Sequence, residues 1–74
     1  MDAASIKADL RECTGGKAWI SKRKLRGWLG MGDAKAAVFE EGLKSRRIGN
    51  RIEFFIGDVA EKVMCDIEGR EFNG

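Results

Sequence analysis

The sequence predicts a mainly α-helical α+β fold with one small β-hairpin, and three observations support this class. Two short helical patterns meet at a glycine turn, Gly30-Met31-Gly32. A turn-forming pair, Gly49-Asn50, separates two short segments that have the composition of strands. The chain has 74 residues, enough for one domain with a thin core. We therefore expect a single domain over residues 1–66 and a flexible C-terminal tail over residues 67–74.

The N-terminal segment has the pattern of an amphipathic helix. Asp2 is a candidate N-cap, and Ile6, Leu10 and Cys13 follow at positions i, i+4 and i+7. The pattern predicts a helix over residues 3–13, ended by Thr14-Gly15-Gly16. Residues 17–20 follow as a short strand that can join the hairpin in a small sheet, with a tryptophan in the core.

The first helix of the central pair begins after Ser21, whose hydroxyl can accept from free backbone N–H groups of the first turn. Leu25, Trp28 and Leu29 recur at helical spacing on one side. The glycine turn then ends this helix.

The second helix of the pair is expected to begin at the N-cap Asp33 and to continue to about Ser45. Ala36, Phe39 and Leu43 share one face at helical spacing, which is the face expected in the core. Two helices joined by a turn of about three residues form a helix-turn-helix.

The hairpin and the last helix complete the predicted fold. Gly49-Asn50 can hold the positive φ angles of a two-residue turn, and alternation in residues 51–56 predicts a half-buried strand. Asp58, with Glu61 three residues later, has the pattern of a capping box that opens a closing helix. The predicted fold class is therefore a winged helix-turn-helix, with the hairpin as the wing.

Positive charge is concentrated in the middle of the chain. Residues 17–51 carry ten Lys or Arg and three acids, a net charge of +7, whereas residues 1–16 carry −1 and residues 52–74 carry −4. A basic block between acidic flanks is typical of a module that lays one face on phosphates. The alternative is a solvated surface whose charge is offset in space by the closing helix.

Several segments resemble the winged helix-turn-helix of the excisionase and MerR-type family. They are Ile20-Ser21, Leu25, Trp28-Leu29-Gly30, the run RIGNRIEF from Arg47 to Phe54, and Asp58-Val59. The resemblance extends from Ile20 to Val63 and is most specific in the hairpin. It implies double-stranded DNA as partner and a role as an excisionase-like accessory factor of recombination in a mobile element, or as a small transcriptional regulator. An integrase is a further partner that it implies.

The expected DNA contacts fall in three groups: cations at the start of the first helix, the outward face of the second helix, and the arginine-rich hairpin. Small outward residues let a helix enter the major groove, and arginine pairs with phosphates or enters a narrow minor groove. Glu41 either accepts from a cytosine amino group or repels a phosphate. The residues expected to contact DNA are Lys22, Arg23, Lys35, Ala37, Val38, Lys44, Arg46, Arg47, Asn50 and Arg51.

The alternative function is a protein-interaction module that has the same fold but does not bind DNA. The small-residue face of the second helix suits a protein partner, and Ile67 and Phe72 favour contact with a second copy of the chain. DNA and protein binding both remain open from the sequence.

Composition argues against an enzyme, a metal site and a cofactor. The chain has no histidine and no C-x-x-C pair, so neither the usual general base nor a zinc ligand set is present. Cys13 and Cys65 are expected as small buried hydrophobes rather than a disulfide. No apolar run approaches 18 residues and no secretory pattern is present, so we expect a cytoplasmic protein without a membrane or small-molecule partner.

Overall fold

The computed structural model describes residues 2–72, which form four α-helices and a three-stranded antiparallel sheet. This confirms the predicted α+β class and is compatible with a winged helix. The elements in chain order are α1 (Ala3–Cys13), β1 (Trp19–Ser21), α2 (Lys22–Leu29), α3 (Asp33–Glu40), β2 (Ser45–Ile48), β3 (Arg51–Phe55) and α4 (Ile56–Glu68).

Helix α1 has the predicted bounds and the predicted cap. The carboxylate of Asp2 accepts a hydrogen bond from the Ser5 backbone N–H at 2.8 Å, which holds the pKa of Asp2 below its ordinary value. Ile6 and Leu10 are fully buried. The prediction for Cys13 was wrong: it lies at the last position of the helix and is exposed, whereas Cys65 is buried, and both are free thiols.

Helix α2 also begins and ends as predicted, since the Ser21 hydroxyl accepts from the Lys24 N–H at 3.2 Å and Gly30 ends the helix with a φ of 67°. The prediction for α3 was wrong at both ends. Gly32, not Asp33, is its N-cap, and the helix ends at Glu40 rather than near Ser45. Gly42, with a φ of 82°, turns the chain, so Leu43 reaches the core from the loop.

The sheet has the strand order β1-β3-β2, with β3 in the centre and both pairs antiparallel. Gly49 has a φ of 59° in the hairpin turn, while Asn50, contrary to expectation, does not have a positive φ. Ile20 and Phe54 are paired neighbours on the inner face and are buried. Trp19 and Phe55 are paired on the outer face and are only half-buried, so Trp19 is not the core residue that was predicted.

Helix α4 follows β3 without a loop and begins at Ile56 with Phe55 as N-cap, three residues before the predicted cap Asp58. Asp58 does not cap it; the Asp58 carboxylate accepts from the Lys44 backbone N–H at 3.0 Å and so ties the chain before β2 to α4. Gly69 ends the helix with a φ of 70°.

The core lies between the inner face of the sheet and the helices, and α1 packs on α4. Phe72, which was expected to favour contact with a second copy of the chain, packs against this core near Gly42. None of the helices within residues 2–72 is long and apolar enough to cross a membrane.

Candidate nucleic-acid interface

A basic groove of about 950 Å³ lies between the start of α2 and the tip of the β2–β3 hairpin. Five of its lining residues are cations, and an amide, a hydroxyl and an aliphatic side chain complete it. The lining residues are Ser21, Lys22, Arg23, Lys24, Arg26, Asn50, Arg51 and Ile52. The structure therefore brings together four of the predicted site residues from separate parts of the chain.

Sheet pairing is what places the two sides of the groove next to each other. Ser21 ends β1 and pairs with Glu53 of the central strand, and its hydroxyl caps α2 immediately afterwards. The first turn of α2 therefore starts beside β3. Arg51 and Ile52 are the first two residues of β3. They lie beside that turn, where both line the groove.

Two of the cations in the groove belong to an ion-pair network between α2 and α3. The Arg26 guanidinium donates to both Glu40 oxygens, at 3.0 and 3.1 Å, and to Asp33 at 3.2 Å. The hydrogen bond to Glu40 is the main reason that the pKa of Arg26 is raised. Lys22 lies 3.9 Å from Glu40, so two of the five cations share a largely buried carboxylate. Lys22 and Arg26 therefore join the two helices, and their positive charge is largely balanced by Glu40 and Asp33.

The rim of the groove carries the charge that is free to meet a ligand. Arg23, Lys24 and Arg51 are exposed, and within residues 2–72 none of them lies within 4.0 Å of a carboxylate oxygen. The Lys24 ammonium donates to the Cys13 carbonyl at 3.4 Å. Lys24 and Arg26 were not among the predicted contacts, although their place in one basic run with Lys22 and Arg23 was a signal for them.

The other predicted hairpin residues divide between the two faces of the sheet. Arg47 pairs with Ile52 on the side of the groove. Arg46 lies on the outer face, where it forms a 2.8 Å ion pair with Glu53 and stacks 4.5 Å from the Trp19 ring centroid. Lys44, immediately before β2, lies 5.8 Å from the Phe55 ring centroid. Neither Arg46 nor Lys44 is among the residues that line the groove.

The predicted residues of α3 form a third region. Lys35, Ala37 and Val38 are all exposed, as expected of an outward face. Lys35 and Val38 line a second groove, of about 610 Å³, between α3 and α4, together with Lys62 of α4. The Lys62 ammonium donates to the carbonyls of Glu41 at 2.6 Å and Val38 at 3.4 Å and so covers the end of α3.

The chemistry available in the basic groove is recognition of anions. Guanidinium groups offer planar pairs of N–H donors that match two phosphate oxygens, and an ammonium acts as a point charge beside them. The cations here belong to two elements, α2 and the hairpin, that face the same groove. They can therefore contact phosphates of a nucleic acid from two sides of the groove, whereas a single basic helix offers cations on one side only.

Comparison with known proteins gives no matching family model, no matching characterised protein and no matching solved structure.

Proposed function

We propose that the protein binds double-stranded DNA as a winged helix-turn-helix, with α2 and α3 as the helix pair and the β2–β3 hairpin as the wing. The observation that carries this proposal is the basic groove, in which cations of α2 and of the hairpin tip face one another. The resemblance to excisionase and MerR-type proteins suggests the cellular role, an accessory factor of recombination or a small transcriptional regulator.

Phosphate contacts are assigned to the free rim of the groove. Arg23 and Lys24 approach from α2, and Arg51 approaches from the hairpin with the Asn50 amide beside it. Arg47 is exposed and pairs with Ile52, which also lines the groove, so it adds a further cation beside this row. Such contacts position the protein on the duplex and supply a salt-dependent affinity that does not depend on base sequence.

Base contacts are assigned to the exposed face of α3. Val38 is 64% exposed and Ala37 lies beside it, so a thymine methyl can contact either side chain. The acidic residues on the adjoining side of α3, Asp33 and Glu40, are engaged by Arg26 and do not face a phosphate unpaired. Lys35 adds a cation for the backbone.

The second candidate function is protein binding through the groove between α3 and α4. Met31 and Val38 are 36% and 64% exposed and both line this groove, and an exposed apolar patch is the kind of surface to which a protein partner binds. A partner seated on this surface would leave the basic groove unused. Charge reversal in the basic groove therefore separates the two candidates.

The test is a fluorescence-anisotropy titration of a duplex of about 20 base pairs at several salt concentrations. Arg23→Glu with Arg51→Glu is compared with Lys7→Glu and Arg11→Glu, two exposed positions on α1. Both pairs change the net charge from +2 to −2, because each substitution replaces +1 by −1. We expect the groove pair to reduce affinity by about 100-fold at low salt and to lower the salt slope by roughly two.

The variant with both α1 substitutions should retain most of the duplex affinity. Circular dichroism is the control that checks whether both double variants are folded. Equal losses in the two pairs would show that only net charge matters and would contradict a defined groove. Failure of the native chain to bind duplex at low salt would reject DNA binding and favour the α3–α4 surface.

A further inference from the structure

The outer face of the sheet carries an aromatic and basic surface that the duplex groove does not use. Trp19 of β1 pairs with Phe55 of β3, and Lys44 adjoins Phe55 through a 3.0 Å hydrogen bond from the Phe55 N–H to the Lys44 carbonyl. These three side chains form a row across the sheet. Arg46 and Glu53 form the next row towards the hairpin tip.

The two rings of this row are held in place while remaining accessible. Their centroids are 5.4 Å apart with an interplanar angle of 62°, and both residues are half-buried. Phe55 lies against the start of α4, where a Cβ on Gly57 would be 2.7 Å from the Phe55 ring. A side chain at position 57 would require the ring to shift, so glycine allows Phe55 to lie close to the backbone of α4.

Cations surround the rings on more than one side. Arg46 stacks 4.5 Å from the Trp19 centroid, with its charge balanced by Glu53. Lys7 and Arg11 of α1 line a small cleft of about 110 Å³ against Phe55. Both are exposed, and within residues 2–72 neither lies within 4.0 Å of a carboxylate oxygen.

The positive charge on this surface is therefore only partly balanced by acidic residues of the protein. Lys7, Arg11 and Lys44 supply three positive charges beside the rings. The Asp58 carboxylate accepts from the Lys44 backbone N–H at 3.0 Å, and within residues 2–72 the Lys44 ammonium lies within 4.0 Å of no carboxylate oxygen. A partner that complements this surface must bring negative charge and flat apolar groups together.

We infer that the outer face binds single-stranded nucleic acid, with unpaired bases on Trp19, Phe55 and the Arg46 guanidinium and with phosphates on Lys7, Arg11 and Lys44. Bases stack on aromatic rings and guanidinium planes with little sequence preference, and a duplex keeps its bases stacked away from such a surface. An acidic peptide would use the cations but would leave the rings without a partner. The inference does not depend on the duplex groove.

The test uses Trp28→Phe, which leaves Trp19 as the remaining one of the two tryptophans. This protein is titrated with a thymidine oligonucleotide of about 12 residues, and Trp19 fluorescence and the anisotropy of a labelled oligonucleotide are both recorded. We expect binding to quench Trp19 fluorescence. In the same background, Lys7→Glu with Arg11→Glu should weaken binding at least about tenfold, and Phe55→Leu should weaken it about fivefold or more.

The matched control is Arg23→Glu with Lys24→Glu, two groove residues on α2 that give the same net charge as the α1 pair. Arg51 is left unchanged because it begins β3, the strand that carries Phe55. The control should retain single-strand affinity within about threefold while losing duplex affinity. This opposite pattern separates the outer face from the groove.

Three results would overturn the inference. They are absence of oligonucleotide binding at low salt, binding that leaves Trp19 fluorescence unchanged, and equal losses in the two charge-reversed pairs. Displacement of the oligonucleotide by polyglutamate of equal charge and at equal concentration would also overturn it, in favour of an acidic protein segment. Circular dichroism shows whether each variant is folded, and Phe55→Leu tests the site without any change of charge.

Discussion

At the scale of single residues, Glu40 determines how the two helices of the central pair meet. Its side chain is 9% exposed and accepts two hydrogen bonds from Arg26 of the preceding helix, with Lys22 nearby. Asp33 contacts the same guanidinium but is 94% exposed. A carboxylate shielded from water interacts more strongly with its partner than one in solvent does, since solvent screens exposed charges.

We expect Glu40→Gln to lower the free energy of unfolding by about 1.5–3 kcal/mol, because charge-assisted hydrogen bonds are lost and Arg26 remains half-buried. In a domain of this size that corresponds to a fall in melting temperature of roughly 6–24 °C. Asp33→Asn, which changes the exposed partner of the same arginine, should cost under about 1 kcal/mol. Thermal unfolding followed by circular dichroism measures both, and equal falls would show that burial of Glu40 is unimportant.

At the scale of elements, α2 contains one glycine and is ended by a second, and the two have opposite roles. Gly27 lies inside the helix, and a Cβ at this position would meet no atom within 4 Å. Gly30 ends the helix with a φ of 67°, in the left-handed region. The helix therefore carries one glycine that its geometry does not require and one that it does.

Gly27→Ala should raise the free energy of unfolding by about 0.5–1 kcal/mol, because alanine loses less backbone entropy in a helix. Gly30→Ala should lower it by about 1–2 kcal/mol, because its Cβ is strained at positive φ. Urea unfolding of the two variants measures both changes in the free energy of unfolding, and the substitution is glycine to alanine in each case. A loss of stability in Gly27→Ala would mean that the exposed face of α2 has a packing partner.

At the scale of the whole molecule, a thin core depends on a helix that is remote in sequence from the basic groove. Ile6 and Leu10 of α1 are fully buried, and α1 packs on α4, which itself begins at the end of the central strand. A chain of 74 residues has a stability of roughly 4–11 kcal/mol, so one core residue represents a large share.

Leu10→Ala is expected to lower the free energy of unfolding by about 3 kcal/mol, the cost of lost burial and of the cavity left behind. Val38→Ala removes a side chain that is 64% exposed and should change stability by under about 0.5 kcal/mol. Urea unfolding curves for both variants test this. A small effect of Leu10→Ala with unchanged cooperativity would show that α1 is dispensable for the core.

The distribution of charged residues is also a property of the whole molecule. The groove beside α2 and the aromatic outer face of the sheet are two cationic surfaces, and three acidic residues are engaged by neighbouring elements of the fold. Glu40 joins α2 to α3, Glu53 holds Arg46, and Asp58 accepts from Lys44. A net charge of only +2 therefore coexists with two strongly basic surfaces.

The sequence by itself determined the features that depend on neighbouring residues. The Asp2 and Ser21 caps, the bounds of α1, the end of α2 at Gly30 and the hairpin around Gly49 all appear where the local pattern predicts them. Each is set by a hydrogen bond or a φ angle within a few residues of the signal, so the chain segment contains the information.

Only the tertiary structure decided the features that depend on distant partners. Helical spacing could not show that Leu43 reaches the core from a loop, or that Asp58 accepts from Lys44 instead of capping α4. Nor could it show that cations of one basic block lie on different surfaces, with Arg23 in the groove, Arg46 on the outer face of the sheet and Lys35 on α3. A strand places successive side chains on opposite faces, and its pairing partner decides what each face meets, so these assignments required the register of β1, β2 and β3.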